Sequence, residues 1–398
     1  MKSIFAFFLA FFLAAFSISG FAQMPAPPEV AARAYMLLDV TSGQVLAAKD
    51  IDAPVEPASL TKLMTAYLIF DALKSGKINL KQTFAVSERA WRMPGSRMFI
   101  DPKMQVPVED LVKGMIVQSG NDATMALAEG VGGSMDRFVE MMNQQARLLG
   151  MAHTSYKNPE GLTEAGHITT ARDLSVLATR LMADFPEYVG FYAIKKYRYP
   201  GTPEANDSNR NLLLFRDPTV DGLKTGHTDA AGYCMIATAR REFASLGKAG
   251  AAPGTEGATG ARRLLSIVLG ADSENSRANE SQKLLNWGFS ATEPVKLFEA
   301  SQSVVAPAVW KGASSTVPLG RPTPIVVAVP AGTAARVKTV VLRKDPLLAP
   351  IAKGQVAATL RVQLGDQTLA DLPLVALESV DQAGILRRAW DTVRLWIR

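Results

Sequence analysis

Apolar residues recur at helical spacing in several stretches of the first half of the chain. Leu60, Leu63, Met64, Tyr67, Leu68 and Leu73 line one side of a predicted helix running from Ser59 to about Lys74, with Pro57 just ahead of its start. Val108 to Val117, Met135 to Leu148 and Ala171 to Ala183 show the same periodicity, and Ser119-Gly120-Asn121 separates the first of these from a further helix, Asp122 to about Glu129. Strict alternation marks strands instead. Ala34 to Val40 and Gln44 to Ala47 flank a Thr41-Ser42-Gly43 turn and predict a hairpin. Further strands are predicted at Asn211 to Phe215, Gly222 to Thr225, Gly232 to Ala239 and Leu264 to Leu269, followed by a helix at Ser281 to Phe289. Strands at both ends with helices between them predict one sheet assembled from both ends of this region. Residues 75–104, with Pro94, Gly95, Asp101 and Pro102, read as an irregular rim, and Arg241 to Arg262 reads as a long, flexible hairpin loop.

The pattern changes after Glu293-Pro294. Val295 to Phe298, Val304 to Val309, Ile325 to Val329, Val337 to Leu342, Gln355 to Leu364 and Gln367 to Leu374 are short apolar or alternating runs between Pro, Gly and Asp turns. They predict a small all-β domain ending near Leu377. In the last stretch, Asp381 to Arg398, Leu386, Trp390, Val393 and Ile397 fall on one helical face, with Arg387, Arg388, Arg394 and Arg398 around it. A helix from Ala383 would span roughly 24 Å. It is too short and too charged to cross a bilayer, but suits the interface of an anionic membrane. At the other end, Lys2 precedes an apolar run from Ile4 to Phe16, and small residues alternate up to Ala22. This predicts a cleaved export signal. The expected organisation is a signal at 1–22, a catalytic domain at 23–292, a β domain at 293–377 and an amphipathic helix at 378–398.

Composition narrows the function classes. Among 398 residues the net charge is +6, without clustering until the C-terminus, which argues against nucleic acid as a partner. The three histidines, His153, His167 and His227, form no paired metal-ligand motif, and no zinc, Walker or dinucleotide spacing is evident. No metal and no cofactor is therefore expected. The single cysteine, Cys234, has no internal disulfide partner and lies in an apolar strand pattern, so its expected role is core filling.

The chemistry concentrates in three triplets. Ser59 and Lys62 are one helical turn apart, so a lysine kept partly neutral could take the serine proton, beside free N–H groups at a helix start. Ser119-Gly120-Asn121 falls where two helices meet. Lys224-Thr225-Gly226-His227 is expected to end a strand and begin a turn, and Arg210 lies just before the preceding predicted strand, able to grip a carboxylate. Each triplet has simpler readings: Asn121 could be an N-cap, and Gly226 could only permit a turn. Each also has a decoy, in Ser245/Lys248, Ser273-Glu274-Asn275 and Lys74-Ser75-Gly76. Only the first set has the right order, wide spacing and sensible elements beneath it.

Ser-x-x-Lys, Ser-x-Asn and Lys-Thr-Gly in this order resemble the signature of penicillin-binding proteins and class A β-lactamases. The surrounding segments, Pro57-Ala58-Ser59-Leu60-Thr61-Lys62-Leu63-Met64-Thr65, Gln118-Ser119-Gly120-Asn121-Asp122-Ala123 and Asp221-Gly222-Leu223-Lys224-Thr225-Gly226-His227-Thr228, look like the low-molecular-mass D-alanyl-D-alanine carboxypeptidases. The resemblance covers essentially the whole chain. It implies an α/β (α+β) β-lactamase/transpeptidase-like catalytic domain with an antiparallel sheet and a helical cluster, then the β domain and the amphipathic helix. It further implies a serine-type hydrolase that removes the terminal D-alanine of peptidoglycan stem pentapeptides and is acylated by β-lactams. In that scheme Ser59 is the nucleophile, Lys62 the general base, and Ser119 with Lys224 the proton relay. Asn121 holds Lys62 and the substrate amide. The N–H groups of Ser59 and His227 form the oxyanion hole, and Thr225 and Arg210, beside Gly226, bind the terminal carboxylate. The implied location is periplasmic, on the outer face of the cytoplasmic membrane. Three rivals share parts of this picture: a DD-endopeptidase, a β-lactam-binding envelope protein with little turnover, and a β-lactamase. The last needs a deacylating base, and Glu160 and Glu164 stand in the wrong sequence context for it.

Overall fold

Ala34 and Met36 join one apolar cluster while Tyr35 and Leu37 join another, so strand β1 (Ala34–Asp39) is buried on both faces. In the computed structural model, which describes residues 25–243, 247–248 and 260–397, β1 is the second strand of a five-stranded antiparallel sheet. Its order is β2-β1-β5-β4-β3, where β2 is Gln44–Lys49, β3 Val220–Thr228, β4 Gly232–Phe243 and β5 Gly260–Ala271. The register pairs Leu37 with Ser266, so strands from both ends of the region do share one sheet. The proposed signal at 1–22 and the Ser245/Lys248 pair fall on or run into residues outside those described.

Five helices cover one face: α1 (Lys62–Lys74), α2 (Val108–Val117), α3 (Asn121–Gly132), α4 (Met135–Leu149) and α5 (Ala171–Asp184). Every residue of α1 except Asp71 and Lys74 is buried, as a helix at the centre of a cluster requires. The other face is covered by α6 (Glu274–Ala291) through Leu284, Leu285 and Phe289.

Several sequence expectations are corrected. Asn211 to Phe215 is not a strand. Leu213–Arg216 is a helical turn, held by Asn211, whose Oδ1 accepts from the Leu213 N–H at 3.0 Å and whose amide donates to Gly222 O at 3.0 Å. Helix α6 starts seven residues before Ser281 because Ser273 caps it, its hydroxyl accepting from the Ser276 N–H at 3.0 Å. The decoy Ser273-Glu274-Asn275 is that cap. Arg241 to Arg262 is not all loop, since β4 runs to Phe243 and β5 begins at Gly260. Of Val304 to Val309, only Val309 enters a strand, Val309–Trp310. The 75–104 rim is largely irregular, but holds a helical turn, Glu88–Trp91, and Thr83–Ala85 pairs with Gln105–Pro107.

Strand β6 (Thr292–Phe298) follows α6 without a linker. The joint is fastened by Arg262, which pairs with Asp39 at 2.8 Å and donates to Thr292 O at 2.8 Å and Thr292 Oγ1 at 2.6 Å. Both members of the ion pair are fully buried, so removing either would strand a charge. β6 pairs with β7 (Ile325–Pro330), and β8 (Val337–Leu342), β9 (Val356–Leu364) and β10 (Gln367–Ala376) form an antiparallel meander around Val327, Leu360, Val362 and Leu374. The last helix, α7, spans Ile385–Trp396. Its Asp391 is buried and accepts from the Lys311 N–H at 2.7 Å, whereas Ile385, Leu386, Trp390, Trp396 and Ile397 are exposed. Among the described residues no helix is long and apolar enough to cross a membrane.

Candidate active site

Ser59 sits in a 3-10 turn, Ala58–Thr61, rather than at the first residue of an α-helix; α1 proper begins at Lys62. Residues three apart eclipse in such a turn, which brings the Lys62 amine to 3.0 Å from Ser59 Oγ. Ala58 enters the turn at a φ of 47°, a left-handed conformation costly for a residue with a Cβ and a sign that surrounding contacts dictate the path. Lys62 is buried and donates to three acceptors: Ser59 Oγ, Asn121 Oδ1 at 2.7 Å and Glu160 O at 2.7 Å. Burial pulls its pKa down to about 7, against the opposing pull of the Glu160 and Asp122 charges. Near neutral pH much of this lysine is therefore a free amine, the form that can accept the serine proton.

Ser119 occupies the junction of α2 and α3 with a φ of 59°. Its hydroxyl accepts from Lys224 Nζ at 2.9 Å, and the same amine donates to Thr225 O at 3.0 Å. Burial, then the like charges of Lys62, Arg277 and Arg210, hold Lys224 well below the usual lysine range. Asn121 is not the N-cap of α3: Gly120 holds that position, without a side-chain bond. The Asn121 amide is spent on Lys62 and on Pro94 O, to which it donates at 2.7 Å.

Lys224 to His227 lie inside β3, which continues to Thr228, so the expected turn is absent at this point. Gly226 serves close approach instead. A Cβ there would meet the Ser59 nitrogen at 3.1 Å and Pro57 O at 3.2 Å. Together these residues border a cavity of ≈ 360 Å³ whose lining includes Ser59, Ser119, Asn121, Arg210, Thr225 and His227. A hollow of ≈ 560 Å³ beside α7 and one of ≈ 600 Å³ in the β domain are lined by no comparable set of nucleophile and base. All nine residues singled out from the sequence thus gather at one place.

Sequence reading missed other parts of it. Arg277, on the polar first turns of α6, donates to Gly226 O at 3.2 Å and lines the cavity with Arg210, giving it two guanidinium groups. Tyr233 packs against His227 with ring centroids 4.0 Å apart and the rings tilted by 31°. Asp122 is fully buried and accepts from the N–H groups of Met98 and Phe99 at 2.8 Å each, which fastens the rim to α3. Only its adjacency to Asn121 hinted at that. His153 and Asp173 stand apart: the Asp173 carboxylate takes the His153 N–H and the Thr154 hydroxyl and shapes a loop. Cys234 is buried in β4. No group of three or more potential metal ligands occurs among the described residues.

Comparison with known proteins agrees in both halves of the chain. A family model described as D-alanyl-D-alanine carboxypeptidase matches residues 21–248, and one described as the C-terminal domain of penicillin-binding protein 5 matches residues 293–382. The chain is 39% identical over 394 residues to the D-alanyl-D-alanine carboxypeptidase DacC of Escherichia coli, covering 96% of this chain and 93% of that one. Among solved structures it is similar to penicillin binding protein 5 from Haemophilus influenzae, with a TM-score of 0.79 at 35% identity over 90% of this chain and 99% of that one. The chain is also similar to penicillin-binding protein D2 from Listeria monocytogenes in an ampicillin-bound form. There the TM-score is 0.56 at 29% identity, over 66% of this chain and 99% of that one.

Proposed function

The chain belongs to the D-alanyl-D-alanine carboxypeptidase family, and on that premise we propose that its cavity hydrolyses the terminal D-alanyl-D-alanine bond of peptidoglycan stem peptides through an acyl-enzyme on Ser59. The observation that carries the reading is the 3.0 Å contact between Ser59 Oγ and a buried Lys62 brought near neutrality. Lys62 takes the proton as Oγ attacks the carbonyl carbon of the penultimate residue. The backbone N–H groups of Ser59 and His227 receive the oxyanion, the Ser59 nitrogen lying against Gly226, the neighbour of His227 on β3. Ser119, fed by Lys224, returns a proton to the departing D-alanine nitrogen. Water then attacks the ester and frees the serine.

Specificity for a chain end follows from charge. The product leaves as a free amino acid, so the scissile bond lies one residue from a carboxylate. Arg210 and Thr225 bind that carboxylate, with Arg277, held by Glu274 at 2.7 Å, close behind, and an internal peptide would bring no carboxylate to Arg210. This favours the carboxypeptidase over the endopeptidase reading. A β-lactam, which carries a carboxylate beside a strained amide, enters the same cavity and acylates the same serine. In this reading the mature protein is periplasmic, and the exposed apolar residues of α7, with arginines around them, suit its lying in an anionic membrane interface. The residue assignments are tested by D-alanine release from diacetyl-Lys-D-Ala-D-Ala. Wild type should release it in a penicillin-sensitive manner and Ser59→Ala should not; turnover by that variant would overturn the assignment.

A further inference from the structure

Behind the Ser59 turn lies a loop, residues 156–170, that presses unusually close. Gly161 has a φ of 89°, and a Cβ on it would stand 1.9 Å from Ala58 O and 2.9 Å from Thr61 Oγ1. Asn158 Oδ1 fixes this segment by accepting the N–H groups of Gly161 at 2.7 Å and Leu162 at 3.1 Å, and Thr65 Oγ1 donates to Pro159 O at 2.7 Å. Between these ties sits Glu160. Its main-chain oxygen is the third acceptor of Lys62, so the residue is registered against the catalytic amine. Its side chain is carried into the protein with it: Glu160 is 3% exposed, and its Oε2 atom finds no hydrogen-bond partner among the described residues. The mechanism above makes no use of this carboxyl.

Its electrostatic surroundings point to the amine. Lys62 of α1 is the strongest opposite charge on Glu160, followed by Arg89 of the Glu88–Trp91 turn, while Glu164 of the same loop repels it. Lys62 in turn feels Glu160 and Asp122 of α3, and its own charge acts on the amine of Lys224 on β3. The two side chains make no direct ion pair among the described residues, so Glu160 acts on Lys62 through the field and the loop backbone. We propose that the buried carboxyl of Glu160 is a positioning residue that sets the charge of the Lys62 amine and so ties the acylation rate to pH.

The proton count explains how. One proton shared by the pair gives either a carboxylate with an ammonium or a carboxylic acid with an amine. Only the second state leaves a lone pair on Lys62 for the Ser59 proton. Burial disfavours the charged state at both sites, whereas their mutual attraction favours it, so the two groups titrate as a unit. Removing the carboxylate charge leaves Lys62 facing Asp122 as its remaining negative neighbour, and the amine form then persists to lower pH.

This rests on the Ser59–Lys62 reading, and the test separates the two. The second-order rate of acylation by a fluorescent penicillin is followed from pH 4.5 to 9 for the full mature chain, Glu160→Gln, Glu160→Asp and Ser59→Ala. Glu160→Gln should move the acid limb of the profile about one pH unit lower, with the alkaline plateau within about threefold of wild type. Glu160→Asp, which keeps the charge, should retain the wild-type limb. An unmoved limb in Glu160→Gln, or a uniform loss at every pH, would show a packing role only and overturn the proposal. Normal acylation with a long-lived acyl-enzyme would overturn it too, making Glu160 part of deacylation. Labelling of Ser59→Ala would instead strike the underlying reading. Should Glu160→Gln fail to fold, nitrogen-15 NMR of lysine-labelled wild type decides. The Lys62 Nζ signal should titrate in two steps, and a single step would contradict the coupling.

Discussion

Gly226 on β3 and Ser59 on the turn before α1 face each other so closely that a Cβ on the glycine would lie 3.1 Å from the Ser59 amide nitrogen. The two residues belong to different walls of the cavity, and their contact sets its width where the nucleophile sits. Gly226→Ala should push the walls apart by a few tenths of an ångström. Stability should fall by about 1–3 kcal/mol, the cost of overpacking a buried site, and acylation should slow by about tenfold or more, because displacements of this kind near a reacting atom are costly. Paired measurements of melting temperature and penicillin acylation rate check this.

Asp122 ties the rim to α3. It accepts from Met98 N at 2.8 Å, Phe99 N at 2.8 Å and Ile100 N at 3.3 Å, and it lies 3.7 Å from Arg97. Asp122→Ala would leave buried donors without acceptors, so a loss of about 3 kcal/mol is expected in urea unfolding. The rim also carries Pro94 O, which holds Asn121. The same variant should therefore show impaired catalysis in the fraction that remains folded.

His167 predicts an acid sensitivity of the fold. Its Nδ1 accepts from the Lys157 N–H at 3.3 Å, so the neutral ring carries its proton on Nε2 and donates to Thr61 Oγ1 at 2.9 Å. Burial lowers its pKa from 6.5 to about 4. Between those values the unfolded chain binds the proton more tightly than the folded one. Stability from this group is thus complete above pH 6.5 and falls as the pH drops toward 4, by on the order of 3 kcal/mol. Urea midpoints of wild type and His167→Asn between pH 7 and 4.5 should show a steeper decline for wild type. Parallel curves would contradict this.

The helices were legible because burial on one side writes a period into the sequence. Val108 to Val117 is bounded as read, since Pro107 precedes it and the Ser119-Gly120 pair follows. Leu212-Leu213-Leu214-Phe215 was not, because a short apolar run is the same for a strand and a helical turn; Asn211, bonding to its own neighbours, decides. The three triplets were readable because side chains carry their chemistry. Glu160 stands in the wrong sequence context for a deacylating base, and its contact to Lys62 is through a carbonyl oxygen, a group every residue possesses, so no side-chain pattern reveals it. Arg277 escaped notice because the first turns of α6 are polar and show no apolar face.

The docking of α7 separates attachment from orientation. Asp391 fastens the helix to Lys311, and Arg387 donates to Ala313 O at 3.1 Å, while Leu386 and Trp390 remain exposed. Replacing Leu386 and Trp390 by Glu should abolish cosedimentation with vesicles containing anionic lipid. Asp391→Ala should leave cosedimentation in place but free the helix from the β domain, seen as faster proteolysis at Arg387 and Arg388. Unchanged sedimentation of the double variant would remove the membrane role from this helix.

The central claim is that Ser59 carries the acyl group. Mature protein treated with penicillin, digested and mapped by mass spectrometry should hold one adduct, on the peptide containing Ser59. Lys62→Ala, lacking its base, should acquire it at least a thousandfold more slowly. An adduct on Ser119 or any other residue, or an undiminished rate in Lys62→Ala, would contradict the account.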